Sequence, residues 1–192
     1  MAPLTLDPRT TALVLIDLQR GIVGRQTGPH AASDVVARAR RLAARFRQAG
    51  ATVVLVRVAY SPDGRDRLTS RSDAAPLSGA VPPDFSELVP ELGQAPGDVV
   101  VTKRQWGAFY GTELELQLRR RAVRTIVLGG ISTNFGVEST ARDAYERGYE
   151  LVFVEDGMAG LSAEAHQFAV ATIFPRIGMV RSTEEVLAAL GK

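Results

Sequence analysis

The fold turns on residues 123–144, VRTIVLGGISTNFGVESTARDA. Residues 125–128 (TIVL) form a short, mostly apolar run with three β-branched side chains, Thr125, Ile126 and Val127, which suits a strand buried on both faces. Gly129 and Gly130 end that run, and Gly136 closes the turn Ile131-Ser132-Thr133-Asn134-Phe135. From about residue 137 to residue 147 the chain takes helical spacing, and Gly148 stops it. A strand that turns through glycines into a helix offers backbone N–H groups beside a helix N-terminus, where an anion or a developing oxyanion is stabilised. The plainer reading is that the glycines only allow the turn.

The same rhythm repeats on both sides. Residues 11–16 (TALVLI) are a continuous apolar run that ends at Asp17, and residues 33–50 carry a helical stripe of Val36, Ala39, Leu42, Ala43 and Phe46. Ser33 or Asp34 is expected to cap that helix and Gly50 to close it. Residues 51–59 (ATVVLVRVA) form a second strand, which makes a right-handed βαβ unit. Residues 61–97 hold most of the ten prolines and keep no period, so they read as a long surface excursion within one domain of residues 1–192. Residues 98–102 (DVVVT) are a third strand ending at Lys103, and Thr112 is expected to cap a helix over 112–121. Beyond the opening stretch, a fifth strand over 151–154 ends at Glu155 and Asp156. A helix over 162–174, an edge strand over 178–180 and a last helix over 183–190 follow. Six strands alternating with helices predict one doubly wound α/β layer structure. Ligands in such sheets bind beyond the carboxyl ends of the strands, where strand order reverses. Asp17, Lys103 and the Gly130 to Gly136 turn all lie at such ends.

Composition narrows the function classes. A formal net charge of +2 is too small to imply nucleic acid, and the run Arg119, Arg120, Arg121 with Arg124 falls at a helix end, where cations complement the dipole. The chain has no cysteine, so disulfides, thiolate metal sites and a cysteine nucleophile are all excluded. No apolar stretch reaches the ~18 residues of a membrane span. The N-terminus has no basic region ahead of its first apolar run, so a cytoplasmic protein is expected. The first βα turn, DLQRGIVG, fits neither a dinucleotide fingerprint nor a phosphate loop, and no cofactor is expected. His30 is placed at the start of the first helix and His166 within a later one. With no cluster of ligand spacing visible, no metal is expected.

Asp17 at a strand end is expected to be partly desolvated, which raises a carboxylate pKa, and Lys103 is placed to be its cation. The pair reads equally as an acid/base couple or as a structural ion pair. Trp106 and Phe109 read as an apolar wall beside that pair, and Tyr110 as core packing. Ser132, Thr133 and Ser139 supply hydroxyls in or near the turn, but no base is placed to activate them.

The segments ALVLIDLQ, VVVTK and GGISTNFGVESTARDAYERGYELVFVED resemble the isochorismatase-like hydrolase superfamily. The resemblance covers most of the chain, with residues 61–97 its weakest part. It implies a six-stranded parallel sheet flanked by helices, in a homo-oligomer such as a dimer or tetramer. In most members an Asp, a Lys and a nucleophilic Cys form a triad. Asp17 and Lys103 match the first two, and Gly136 stands at the third. The resemblance further implies a non-proline cis peptide at Ile131–Ser132 and an oxyanion site formed by the Ser132 and Gly136 N–H groups. Gln19, Asn134 and Phe135, within the same motifs, join Trp106 and Phe109 in the expected substrate pocket. True isochorismatases also carry Gly at the third position and hydrolyse a vinyl ether without a covalent intermediate, with the Asp as general acid and water as nucleophile. Their turn has Tyr and His where this chain has Ser132 and Asn134, and the present segments look closer to a Cys-lacking bacterial branch.

Three functions follow as expectations. The first is a cysteine-independent hydrolase of a small molecule, with Asp17 and Lys103 as its working pair. The second is a non-catalytic binding or scaffold protein that keeps the pocket. The third is an amidase with a hydroxyl nucleophile at Ser132 or Thr133.

Overall fold

The computed structural model describes residues 4–73 and 81–191. Strand β1 (Thr11–Ile16) is buried at every position, as its unbroken apolar run requires. Its side chains alternate between two cores. Leu13 and Leu15 join one cluster with Val35, Ala39, Leu42 and Phe46, while Ala12, Val14 and Ile16 join another with Leu114, Leu118, Ala141 and Phe174. Each buried Leu, Ile or Phe in these layers contributes on the order of 2 kcal/mol relative to exposure.

The elements follow as α1 (Arg20–Val23), α2 (Ala32–Gln48), β2 (Thr52–Val58), β3 (Val99–Lys103) and α3 (Leu114–Arg120). Then come β4 (Thr125–Ile131), α4 (Glu138–Glu146), β5 (Glu150–Ala159), α5 (Ala163–Phe168), α6 (Phe174–Ile177), β6 (Met179–Arg181) and α7 (Thr183–Ala189). The strands form one parallel sheet in the order β3-β2-β1-β4-β5-β6. Strand order reverses between β1 and β4, so the crevice for a ligand opens where those two strands end.

Several expectations need correction. Neither Ser33 nor Asp34 caps α2, because the helix begins one position earlier at Ala32 and Ala31 precedes it. Gly50 does follow α2 in the left-handed region, at φ 73°, and Ala51 N–H returns to Phe46 O at 2.9 Å. Thr112 lies before α3, where its Oγ1 accepts from Leu114 N at 3.1 Å, but Glu113 occupies the cap position. Strand β5 does not stop at Glu155 and Asp156. It runs on to Ala159, because a register shift opposite Leu128 and Gly130 lets the chain bend and pair again through Met158 and Ala159. The helix expected over 162–174 is α5, a π-helical turn over Ala169–Ile173, and α6.

Within residues 61–97, the described part carries one short 3-10 turn, Pro90–Leu92, and residues 74–80 lie outside the described residues. Among the described residues no helix is long and apolar enough to cross a membrane.

Candidate active site

Asp17 follows β1 directly, in the left-handed region at φ 53°, with its N–H bonded to Val56 O at 2.9 Å. A non-glycine residue seldom sits there, and the geometry swings the carboxylate inward instead of along the strand. Lys103 is the last residue of β3, next to β2, and its side chain crosses the end of β2 to reach Asp17. Lys103 Nζ donates to Asp17 Oδ2 at 2.8 Å and to Trp106 O at 2.6 Å, and both side chains are buried. The second carboxylate oxygen, Oδ1, is buried and has no hydrogen-bond partner among the described residues. Burial pushes the Asp17 pKa up to about 6, against the pull of the Lys103 ammonium.

The turn after β4 closes on this pair. Gly130, at φ 120°, passes so close to β1 that a Cβ would lie 2.2 Å from Ile16 O, so only glycine fits. The Ile131–Ser132 peptide is cis. Residues Thr133–Val137 then form a π-helical turn that leads into α4. Gly136 faces the pair directly: a Cβ there would lie 3.1 Å from Asp17 Oδ2, 3.2 Å from Lys103 Nζ and 2.9 Å from Ile16 Cγ2. The space a nucleophilic side chain would occupy is therefore bounded by the carboxylate, the ammonium and a core methyl.

Sequence reasoning missed Thr140, which is buried in the first turn of α4. Its Oγ1 donates to Gly136 O at 2.6 Å and accepts from Ala108 N at 3.1 Å, tying the turn to the aromatic loop. In that loop Trp106 is 63% exposed and meets the Phe135 ring edge-on at 4.9 Å, so these two residues make an open apolar wall beside Lys103. Asn134 is in the same turn, with its Oδ1 buried and unpartnered among the described residues.

Two residues expected in the pocket have partners of their own. Phe109 faces the core, where it packs against Tyr149 at 6.0 Å under the Arg147 guanidinium. Gln19 is fully buried and spends its amide on backbone. Nε2 donates to Val58 O (2.9 Å) and Phe85 O (2.8 Å), and Oε1 accepts from Val58 N (2.8 Å). It is a clamp between the ends of β1 and β2 and the excursion. Tyr110, expected in the core, is 79% exposed because its loop turns outward at Gly111, where φ is 65°. A cavity of about 750 Å3 is lined by Val23, Val36, Arg40 and Val89 among others and touches none of these site residues.

The histidines also differ from expectation. His30, Glu155 and His166 meet in one cluster, although 125 residues separate His30 from Glu155. No local spacing announces a group built by three distant segments.

The fold and this site define an open, doubly wound α/β protein that holds a buried Asp–Lys pair against a glycine turn at the switch point of its sheet. Comparison with known proteins carries the assignment further. The model of the isochorismatase domain matches residues 11–185, and the chain belongs to the isochorismatase family of hydrolases. It is 52% identical to the isochorismatase family protein YecD of Escherichia coli O157:H7, over 97% of this chain and all of that protein. It is 32% identical to the ureidoacrylate amidohydrolase RutB of Methylobacterium radiotolerans, over 98% of this chain and 83% of that one. Among solved structures, an isochorismatase family protein from Burkholderia thailandensis superposes with a TM-score of 0.95 at 48% identity, covering 100% of both chains.

Proposed function

We propose that the protein is a cysteine-independent hydrolase of a small molecule, in which Asp17 acts as general acid/base, Lys103 sets its charge state and water attacks. The observation that carries this reading is the position of Gly136. Position 136, where a Cβ would lie 3.1 Å from Asp17 Oδ2 and 3.2 Å from Lys103 Nζ, bears no side chain. A nucleophile cannot be activated there, while the unpartnered Oδ1 of Asp17 is free to give a proton to the substrate or take one from water. Protonation of the terminal carbon of a vinyl ether makes the oxygen-bearing carbon an oxocarbenium centre, which water can then trap, and the resulting hemiketal expels the alcohol. This favours a vinyl ether or related acid-labile bond over an amide. The N–H groups of Ser132 and Gly136 would serve as donors to the substrate, with Trp106, Asn134 and Phe135 around it. We further propose that the protein works in the cytoplasm as a homo-oligomer, as the family resemblance suggests.

The same missing side chain supports a second reading, a family member that binds a small ligand without turning it over. Turnover of isochorismate, other small enol ethers and ureido or carbamoyl amides, by wild type and Asp17→Asn, separates the two. Product formed by the wild type, falling on the order of a hundredfold in Asp17→Asn, supports the hydrolase. Saturable binding with equal background rates in both proteins supports the binder.

A further inference from the structure

The two histidines of the chain converge on one carboxylate oxygen. His30 lies just before α2, Glu155 on β5 and His166 on α5. His30 Nε2 stands 2.9 Å from Glu155 Oε1, and His166 Nε2 stands 3.2 Å from the same atom. One donor atom from each residue lies within 4.8 Å of the others, and the rings meet edge to face with centroids 5.8 Å apart. The segments are held together independently of these side chains. Gly28 and Gly160 exchange backbone hydrogen bonds at 2.9 and 2.8 Å, so the chain before His30 is pinned to the end of β5. His166 is completely buried, whereas the side chains of His30 and Glu155 are 24% and 34% exposed, which leaves one side of the cluster open.

Two imidazoles and a carboxylate are a zinc-type donor set. A tetrahedral ion at ordinary Zn–N and Zn–O distances needs donors roughly 3.3 Å apart. The two separations to Glu155 open by a few tenths of an ångström to reach that value, and the partly exposed His30 ring can swing to draw the nitrogens together. His166 also has the outer partner that a metal-bound imidazole ordinarily has: its Nδ1 lies 2.8 Å from Thr133 Oγ1, which fixes the ring with Nε2 toward Glu155.

We propose that His30, Glu155 and His166 bind one divalent transition-metal ion of the zinc class, with water completing its coordination on the exposed side. The nitrogen donors select Zn(II), Co(II) or Ni(II) over Mg(II) and Ca(II). The ion would clamp the segment before α2 to β5 and α5. Through Thr133 it would also steady the turn that carries Gly136. This site is separate from the Asp17–Lys103 chemistry and stands or falls without it.

The chain has only two histidines and no cysteine, so few other soft ligands compete. The test uses the untagged full chain, stripped with a chelator and dialysed. It is titrated near neutral pH with Zn(II) by calorimetry and with Co(II) by visible absorption. His30→Ala and Glu155→Gln are titrated alongside, since both residues are partly exposed and circular dichroism can verify that the variants fold. The expected result is one ion per chain, a four-coordinate Co(II) spectrum and a melting temperature raised by Zn(II). Affinity should fall on the order of a hundredfold or more in each variant, and excess Mg(II) should not compete. A wild type that takes up no ion would overturn the proposal and leave a hydrogen-bonded His–Glu–His brace. Folded variants that bind as tightly as wild type would overturn it equally, by placing the ion elsewhere.

Discussion

Lys103 Nζ donates to Asp17 Oδ2 at 2.8 Å, while the other oxygen of that carboxylate is buried with no partner among the described residues. The pair is thus half satisfied. One oxygen is paired with the ammonium, and the other is buried without a hydrogen bond. Burial outweighs the cation and lifts the Asp17 pKa to about 6, so the group titrates within the range where hydrolases operate.

The pH dependence follows with a definite sign. If Asp17 is the general acid, its protonated form is the active one. The rate should then be level below about pH 5 and fall roughly tenfold per unit above about pH 7. A pH profile of kcat/KM that instead rises through pH 6 would assign Asp17 as the base. Stability changes in the same window. The folded pKa lies above the ordinary 3.8, so the folded chain binds the extra proton. Stability from this group is therefore present at low pH and lost as pH rises from about 4 to about 6. Urea unfolding of wild type against Asp17→Asn across that range measures the loss.

Losing the cation should cost more than losing the carboxylate. Lys103→Met leaves the buried Asp17 carboxylate without its ammonium, whereas Asp17→Asn keeps a neutral partner for Lys103, as the protonated acid does. Near neutral pH Lys103→Met should destabilise by about 3 kcal/mol, whereas Asp17→Asn and the double change should each lie within about 1 kcal/mol of wild type. Urea unfolding of the four proteins closes the cycle. Additive costs would show that the two groups do not depend on each other.

A thiol introduced at position 136 would test the geometry directly. Gly136→Cys should lose about 1–2 kcal/mol, because its Cβ would meet Ile16 Cγ2 at 2.9 Å. The thiol would sit beside the Lys103 ammonium, which favours thiolate, so iodoacetamide should label it faster than free cysteine at neutral pH. No other cysteine exists to blur the measurement. An ordinary labelling rate in the folded variant would contradict the arrangement described.

Gln19 should matter for stability and not for ligand contact. Gln19→Ala removes two buried hydrogen bonds to the Val58 backbone and a partly buried one to Phe85 O. A loss of about 2–4 kcal/mol is expected, together with faster proteolytic cleavage within residues 61–97. Thermal melts and limited proteolysis give the two readouts. Unchanged stability would show that the clamp carries no strain-free binding energy of its own.

Trp106 is the only tryptophan and stands at the open wall of the site. Ligand entry should change its fluorescence, and Trp106→Ala should weaken binding about tenfold through lost contact with the ligand and with Phe135. A ligand that binds without altering the emission must occupy another place.

The sheet was legible because its signals are local. Unbroken branched runs such as TALVLI must be covered on both faces, and the helices between them supply the cover. The turn was legible for the same reason, since two glycines between a strand and a helix mark a close approach before any partner is known. What lay across the chain was harder to read. Gln19 looked like a pocket residue from its place in a motif, and Phe109 from its place in the aromatic loop after Lys103. One is turned onto backbone by the end of β2 and the other is drawn into the core by Tyr149.

The amino-acid order alone determined the succession of strands and helices and placed Asp17, Lys103 and Gly136 at strand ends, because periodicity and chain breaks act over a few residues. Only the tertiary structure decided that a Cβ at Gly136 would stand 3.1 Å from Asp17, and that His30, Glu155 and His166 would share one oxygen. Those distances depend on strand order, on the bend in β5 and on how side chains pack. Contacts between residues far apart in the chain are settled by the packing of the whole sheet, which no local pattern encodes.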